Sequence, residues 1–288
     1  MSGDARLTPA RADLAAESLR GLVDAPRYAA GTSRIIVTPV APMRRAPSSG
    51  SSLDTEALLG ERVTIYDADA EGWSWGQLDG DGYVGYLPTD ALAPVPATAP
   101  THRVSAQRSF VFPGPDIKLP PRDTLPFGAR LAVREQRGPF AVTALGFVFA
   151  GHLAPLDACE TDYVSVAARF LGTPYLWGGR SSFGLDCSGL VQTALAACGV
   201  HAPRDSDQQE AALGTALPLE GPFARGDLLF WPGHVAIVET PDILLHANAH
   251  AMAVAREPLD AALARIASAT PLRTAKRMAD PAVSRTAD

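Results

Sequence analysis

Cys187 stands where a thiol can become a nucleophile. It follows Gly184-Leu185-Asp186 and opens the apolar-periodic run CSGLVQTALAACG, which reads as a helix closed by Gly199. A side chain at a helix N-terminus meets unpaired N–H groups and the positive end of the dipole, and both favour thiolate. Cys198 and Cys159 have neither advantage and read as small core residues. His234 follows a Gly and begins the apolar run HVAIV, so a strand would hold its imidazole on a rigid element, as a general base requires. His246, in LLHAN, comes one turn and one returning strand later. It could then orient the ring of His234, and the three side chains form a Cys-His-orienter set.

These groups need a scaffold, and the chain changes texture to supply one. TDYVSVAARFLG, at 161–172, and the run from Cys187 read as helices; DLLFW, HVAIVE and ILLHAN read as strands. Before Cys159 the pattern is different. Short alternating runs such as RIIVTPV, ERVTIYDAD, GWSWGQL and DGYVGYLP are broken by Pro and Gly, the pattern of a small β-barrel. Leu59–Val63 resembles Phe127–Leu131, and Gly85–Pro88 resembles Gly151–Ala154, which points to an internal repeat joined by the linker PVPATAPTH. Ahead of both, Thr8-Pro9 predicts a helix start, with Leu14, Leu19, Leu22 and Val23 as an apolar stripe.

The phrase EGWSWGQLDGDGYVGYLPTDAL resembles bacterial SH3-like modules, and the second copy lacks its tryptophans. The phrases TPYLWGGRSSFGLDCSGLVQ, PRDSDQQ, RGDLLFWPGHVAIV and LLHAN, in that order, resemble the NlpC-type peptidases, a papain-like family that cleaves peptidoglycan peptides. The resemblance implies an α+β fold: a papain-like NlpC catalytic domain preceded by two small SH3-like β-barrels. The corresponding divisions are an arm at 1–33, barrels at 34–96 and 97–157, a peptidase domain at 158–275 and a polar tail at 276–288. It implies Cys187 as nucleophile, His234 as base, His246 as orienting residue and an oxyanion site near the helix start.

Members with SH3-like modules resemble γ-D-glutamyl-L-diamino acid endopeptidases acting on recycled wall peptides with a free N-terminal L-alanine. An ammonium needs carboxylates and hydroxyls around a blocked end. Asp186, Ser188, Asp205, Ser206 and Tyr175 match positions that the resemblance assigns to this pocket, with Tyr83 reaching in from the first module. Other readings stand beside these. Asp186 suits an N-cap, Ser206 with Gln209 suits a capping box, and Tyr175, Trp177 and Trp231 suit core or rim aromatics.

The composition bounds the rest. A chain of 288 residues with 47% hydrophobic and 19% charged content is globular. A net charge of −6 lacks the clustered Lys and Arg that nucleic acid requires. No apolar run is long enough to span a membrane. The N-terminal segment lacks the apolar core of a secretory signal, and 3 scattered cysteines predict the reducing cytoplasm. Neither a metal nor a cofactor is expected, and the expected partner is a small peptidoglycan peptide. Two rivals remain at this level: a catalytically inactive wall-binding adaptor, and a Cys-His amidase or acyltransferase on another substrate.

Overall fold

The alternating runs of the first half fold as antiparallel ladders. The computed structural model describes residues 3–278 and divides the chain into two units, Met1–Leu156 and Asp157–Asp288. In the first unit, one seven-stranded sheet runs in the order Leu92–Pro94, Thr32–Ile36, Arg62–Ala68, Trp73–Leu78, Val84–Pro88, Val40–Arg44 and Leu53–Leu58. Ile36, Met43, Val63, Leu78 and Leu87 form its core. Among the described residues no ladder joins the two outer strands, so the sheet is open where the sequence predicts a closed barrel. Pro94, on one outer strand, has no N–H to donate and suits an edge.

Residues 101–156 build a second, smaller pair of sheets around Val104, Val111, Leu125, Leu131 and Val148. Gly60 and Gly128 occupy equivalent left-handed turns, with φ of 80° and 85°. Each donates its N–H at 2.9 Å, to the carbonyls of Ile36 and Val104. Leu92 pairs with Ile36, and Leu153 pairs with Val104. The repeat therefore aligns Leu92–Pro94 with Leu153–Pro155. The sequence match of Gly85 with Gly151 is out of register, because Gly85 lies in a strand and Gly151 in a single 3-10 turn.

The predicted N-terminal helix does not form. Leu14, Ala15 and Ala16 are consecutive and all buried, which an extended segment can achieve and one face of a helix cannot. Leu22, in the predicted stripe, is 78% exposed. Arg11 fastens this arm. Its guanidinium stacks 4.8 Å from the Trp75 ring centroid and pairs with Asp13 and Asp67.

Strands and helices of the second unit are numbered separately here. α1 is Tyr163–Ala168, α2 Cys187–Ala197, α3 Ser206–Ala212 and α4 Leu259–Ala267. β1 is Thr215–Leu217, β2 Asp227–Trp231, β3 His234–Thr240, β4 Ile243–Asn248, β5 Ala253–Pro258 and β6 Thr274–Arg277. The antiparallel sheet has the order β1-β6-β2-β3-β4-β5. Leu229, Trp231, Ala236, Val238 and Leu244 pack with Ala262 of α4. The alternate residues Leu228, Phe230, Val235, Ile237 and Leu245 are also buried, on the face that α2 covers. The predicted tail begins inside β6: Lys276 and Arg277 pair with Leu228 and Asp227. Arg277 also clasps the buried Asp227 carboxylate at 2.8 and 2.7 Å. One buried side chain, Ala275, was too weak an apolar signal to reveal this strand. The remainder of that tail lies outside the described residues. Among the described residues no helix is long and apolar enough to cross a membrane.

The fastening of the arm is testable. Arg11→Ala should speed amide exchange at Leu14–Ala16 by at least about tenfold, since a cation–π contact alone contributes roughly 0.5–2 kcal/mol. The ladders of the seven-stranded sheet should keep their protection.

Candidate active site

The start of α2 is built around Asp186. As N-cap it accepts the Gly189 N–H at 2.7 Å. Its other oxygen accepts the Gly178 N–H at 3.0 Å, which ties down the loop ahead of the helix. Gly178 has φ of 76°, a conformation that suits glycine. Gly189 must also be glycine, because a Cβ there would lie 2.2 Å from the Gly179 carbonyl oxygen. Arg204, wholly buried, donates to both Asp186 oxygens at 2.9 and 2.7 Å. It also donates to Ser188 Oγ at 3.0 Å and to the Gly179 carbonyl at 3.2 Å. Asp186 and Ser188 are thus engaged in holding the helix start. The N-cap reading of Asp186 describes its bonding.

Asp205 and Ser206 follow Arg204 directly. Asp205 caps α3 in a capping box with Gln208, whose side chain accepts the Asp205 N–H at 3.3 Å. The box lies one residue earlier than the predicted Ser206–Gln209 pair. Gln209 instead turns inward and bridges the Ser188 and Pro203 carbonyls at 2.9 and 2.8 Å.

Cys187 is 6% exposed at the first position of α2. The backbone N–H groups of Val235 and Ser188 act on its sulfur in the direction of thiolate. The helix that Cys187 opens packs on β3, whose first residue is His234. His234 Nε2 is 3.0 Å from His246 Nδ1, and Trp231 packs against the His234 ring with centroids 5.7 Å apart. His246 Nε2 in turn lies 3.1 Å from Glu257 Oε2. Tyr175 is half-buried, and burial together with the charges of Cys187 and Asp186 pushes its phenol up. Trp177 is 67% exposed. Tyr83 lies in the first unit, 4% exposed, within the core that contains Ile36 and Met43. Among the described residues all three cysteines are free.

Burial dominates the electrostatics. It pushes the Cys187 thiol up to about 12, against the two N–H groups and Arg204. It holds His234 down at about 3 and His246 at about 4. The helix-start argument alone favours thiolate, but desolvation and the adjacent Asp186 outweigh it. Burial thus favours the neutral form of the thiol and of the imidazole alike. Such a pair can carry out acyl transfer if the imidazole takes the thiol proton as sulfur bonds to a carbonyl carbon.

The sequence gives no sign of the roles of Arg204 and Glu257, and it suggests a capping box for Gln209 in place of its inward bridging role. Arg204 and Gln209 lie in PRDSDQQ, where nothing signals burial. Glu257 shares a face with His246 only because Leu244 pairs with Glu257 and His246 with Ala255, and sequence does not set that register.

Two outcomes follow. Arg204→Leu strands the Asp186 carboxylate and should cost about 3–5 kcal/mol in denaturant unfolding. Acidification should also destabilise the fold. Each ring binds a proton more readily unfolded, near 6.5, than folded. Stability is therefore complete above pH 6.5 and is lost as pH falls toward the folded values of about 3 and 4. His234→Gln should make that loss shallower, by up to roughly 1.4 kcal/mol per pH unit.

With this geometry in view, the comparisons place the two units. Residues 172–265 match the NlpC/P60 family, and residues 43–92 match the bacterial dipeptidyl-peptidase SH3 domain. The chain is 32% identical over 202 residues to the gamma-D-glutamyl-L-lysine dipeptidyl-peptidase of Bacillus subtilis (strain 168), covering 62% of this chain and 64% of that one. It is 28% identical to the Bacillus cereus (strain ATCC 10987 / NRS 248) protein of the same name, covering 64% and 61%. The chain thus spans less than two thirds of either relative. A crystal structure of an NlpC/P60 family protein from Bacillus cereus ATCC 10987 superposes with a TM-score of 0.70 and 22% identity, over 86% of this chain and 99% of that one. That likeness speaks to fold. Residues 172–265 of the second unit are thus similar to the NlpC/P60 family, and residues 43–92 of the first to the bacterial dipeptidyl-peptidase SH3 domain.

Proposed function

We propose that this protein is a cysteine peptidase that hydrolyses the γ-D-glutamyl bond to a diamino acid in peptidoglycan peptides with a free N-terminal L-alanine, releasing L-Ala-D-Glu. One observation carries the reading. Cys187 opens the helix that packs on the strand whose first residue, His234, is hydrogen-bonded to His246. The segment holding all three matches a family of peptidases, and two relatives are named for this bond when lysine is the diamino acid.

Cys187 attacks the γ-carbonyl carbon while His234 takes the thiol proton. The tetrahedral oxyanion is held at the start of α2, where the first N–H groups have no intrahelical partner. The C–N bond breaks as His234 protonates the leaving amine. Water then attacks the thioester with His234 as base, which releases the dipeptide and restores the thiol. Asp205, Ser206 and Tyr175 are our candidates for the amino end of the substrate, Ser188 being taken up with Arg204 and Asp186. Asp186 serves this pocket by fixing Arg204 and the helix start.

Two finer readings accompany this one. We read residues 101–156 as a second SH3-like module, supported by the equivalent turns at Gly60 and Gly128 and the equivalent pairing of Leu92 and Leu153. We place the activity in cytoplasmic recycling of wall peptides, a setting in keeping with three unpaired thiols.

A synthetic L-Ala-γ-D-Glu-L-Lys tripeptide tests the proposal by product mass. Cleavage should yield L-Ala-D-Glu and vanish in Cys187→Ala. Acetylation of the alanine amine should lower kcat/KM by about tenfold or more, because a hydrogen bond to a charged group contributes roughly 1.5–3 kcal/mol. Equal turnover of the acetylated peptide would overturn the amino-end assignment.

A further inference from the structure

The hydrogen-bonded line that begins at His234 does not end at His246. Glu257 Oε2 accepts from His246 at 3.1 Å, and Arg265 of α4 clasps the same carboxylate, Nε to Oε1 at 2.8 Å and Nη2 to Oε2 at 2.6 Å. His246 has no exposed side-chain surface and Glu257 only 15%. The ladder places both on one face of the sheet, since Leu244 pairs with Glu257 and His246 with Ala255.

Hydrogen-bond roles along this line are forced by chemistry. The Arg265 guanidinium holds the Glu257 carboxyl below its usual range, so the group is ionised and can only accept. The proton shared with it must belong to His246 Nε2. A neutral imidazole protonated there has a lone pair on Nδ1. The His234–His246 bond at 3.0 Å then requires His234 to donate from Nε2. His234 is left with its lone pair on Nδ1.

We propose that Glu257 is a positioning residue of the thiol–imidazole centre: through His246 it fixes His234 with a proton on Nε2 and Nδ1 open to receive the Cys187 proton, and its charge supports the imidazolium that results. The kinetic part of this rests on the peptidase reading. The charge matters because both rings are buried, and burial opposes a positive charge on either. Glu257 is the carboxylate that opposes this effect on both rings, whereas Arg265 adds to it. Arg265 has a compensating use, since it keeps the carboxylate ionised and aimed. A plain tether between α4 and β5 would need the Arg265–Glu257 pair and no contact with His246.

Two measurements separate these roles. Nitrogen-15 NMR of the imidazoles in the wild-type protein should show His246 protonated at Nε2 and bare at Nδ1, and His234 protonated at Nε2. A proton on His246 Nδ1 would overturn the proposal. These signals are read with or without turnover, so they decide the proton placement even if no peptide is cleaved. Glu257→Gln keeps an acceptor and removes the charge. With the tripeptide it should lower kcat by about 10–100-fold while KM stays within about twofold, as loss of an outer partner typically does. An unchanged kcat in a folded Glu257→Gln protein would overturn the charge role. Should that variant fail to fold, the wild-type nitrogen signals decide alone.

Discussion

The buried pairing of Arg204 with Asp186 is the constraint from which the rest of the site is assembled. Removing two charges from water is costly, and it is offset here by a bidentate contact and by backbone hydrogen bonds to both partners. Gly178 and Gly189 donate to the carboxylate, and Gly179 accepts from the guanidinium. Three segments distant in sequence are thereby locked at one point: the glycine loop, the first turn of α2, and the approach to α3. Cys187 is the residue between Asp186 and Ser188, and its position follows from that lock. The same pair explains why two residues that suit a ligand pocket are taken up with structure.

The sheet supplies the second half. β3 and β4 carry His234 and His246 on adjacent antiparallel strands, and β5 with α4 extends the line to Glu257 and Arg265. Dry surroundings favour the neutral forms of thiol and imidazole. A neutral pair avoids a standing buried charge, which the packing around Trp231 and α2 would penalise. The cost is that activation must occur within the step that forms the S–C bond. Preorganised partners along the line then contribute through the charged state they make accessible.

What could be read from the amino acids follows the range of each signal. The helix from Cys187 was legible because Asp186, an N-cap residue, stands directly before an apolar period. DLLFW, HVAIVE and ILLHAN were legible because β-branched and apolar runs were bounded by turns. His234 and His246 are legible together because their strand–turn–strand spacing is local, and Cys187 joins them through its place at a helix start and the family resemblance. The arm was misread because Leu14-Ala15-Ala16 gives no alternation, and its strand partners Ala10–Arg11 and Tyr28–Ala29 lie on either side. The end of β6 reads as tail because Arg277 looks solvent-loving until Asp227 is seen opposite it. Arg204 and Glu257 were invisible for the same reason. A charged side chain shows its partner only once non-local register is set.

The central claim is that Cys187 itself bonds to the substrate carbonyl. Acid quenching during turnover of L-Ala-γ-D-Glu-L-Lys, followed by intact-mass analysis and peptide mapping, tests it most directly. A transient adduct with the mass of one L-Ala-D-Glu acyl group on Cys187 is the predicted result. Such an adduct on another residue, or peptide release that persists with Cys187 replaced by alanine, would contradict it.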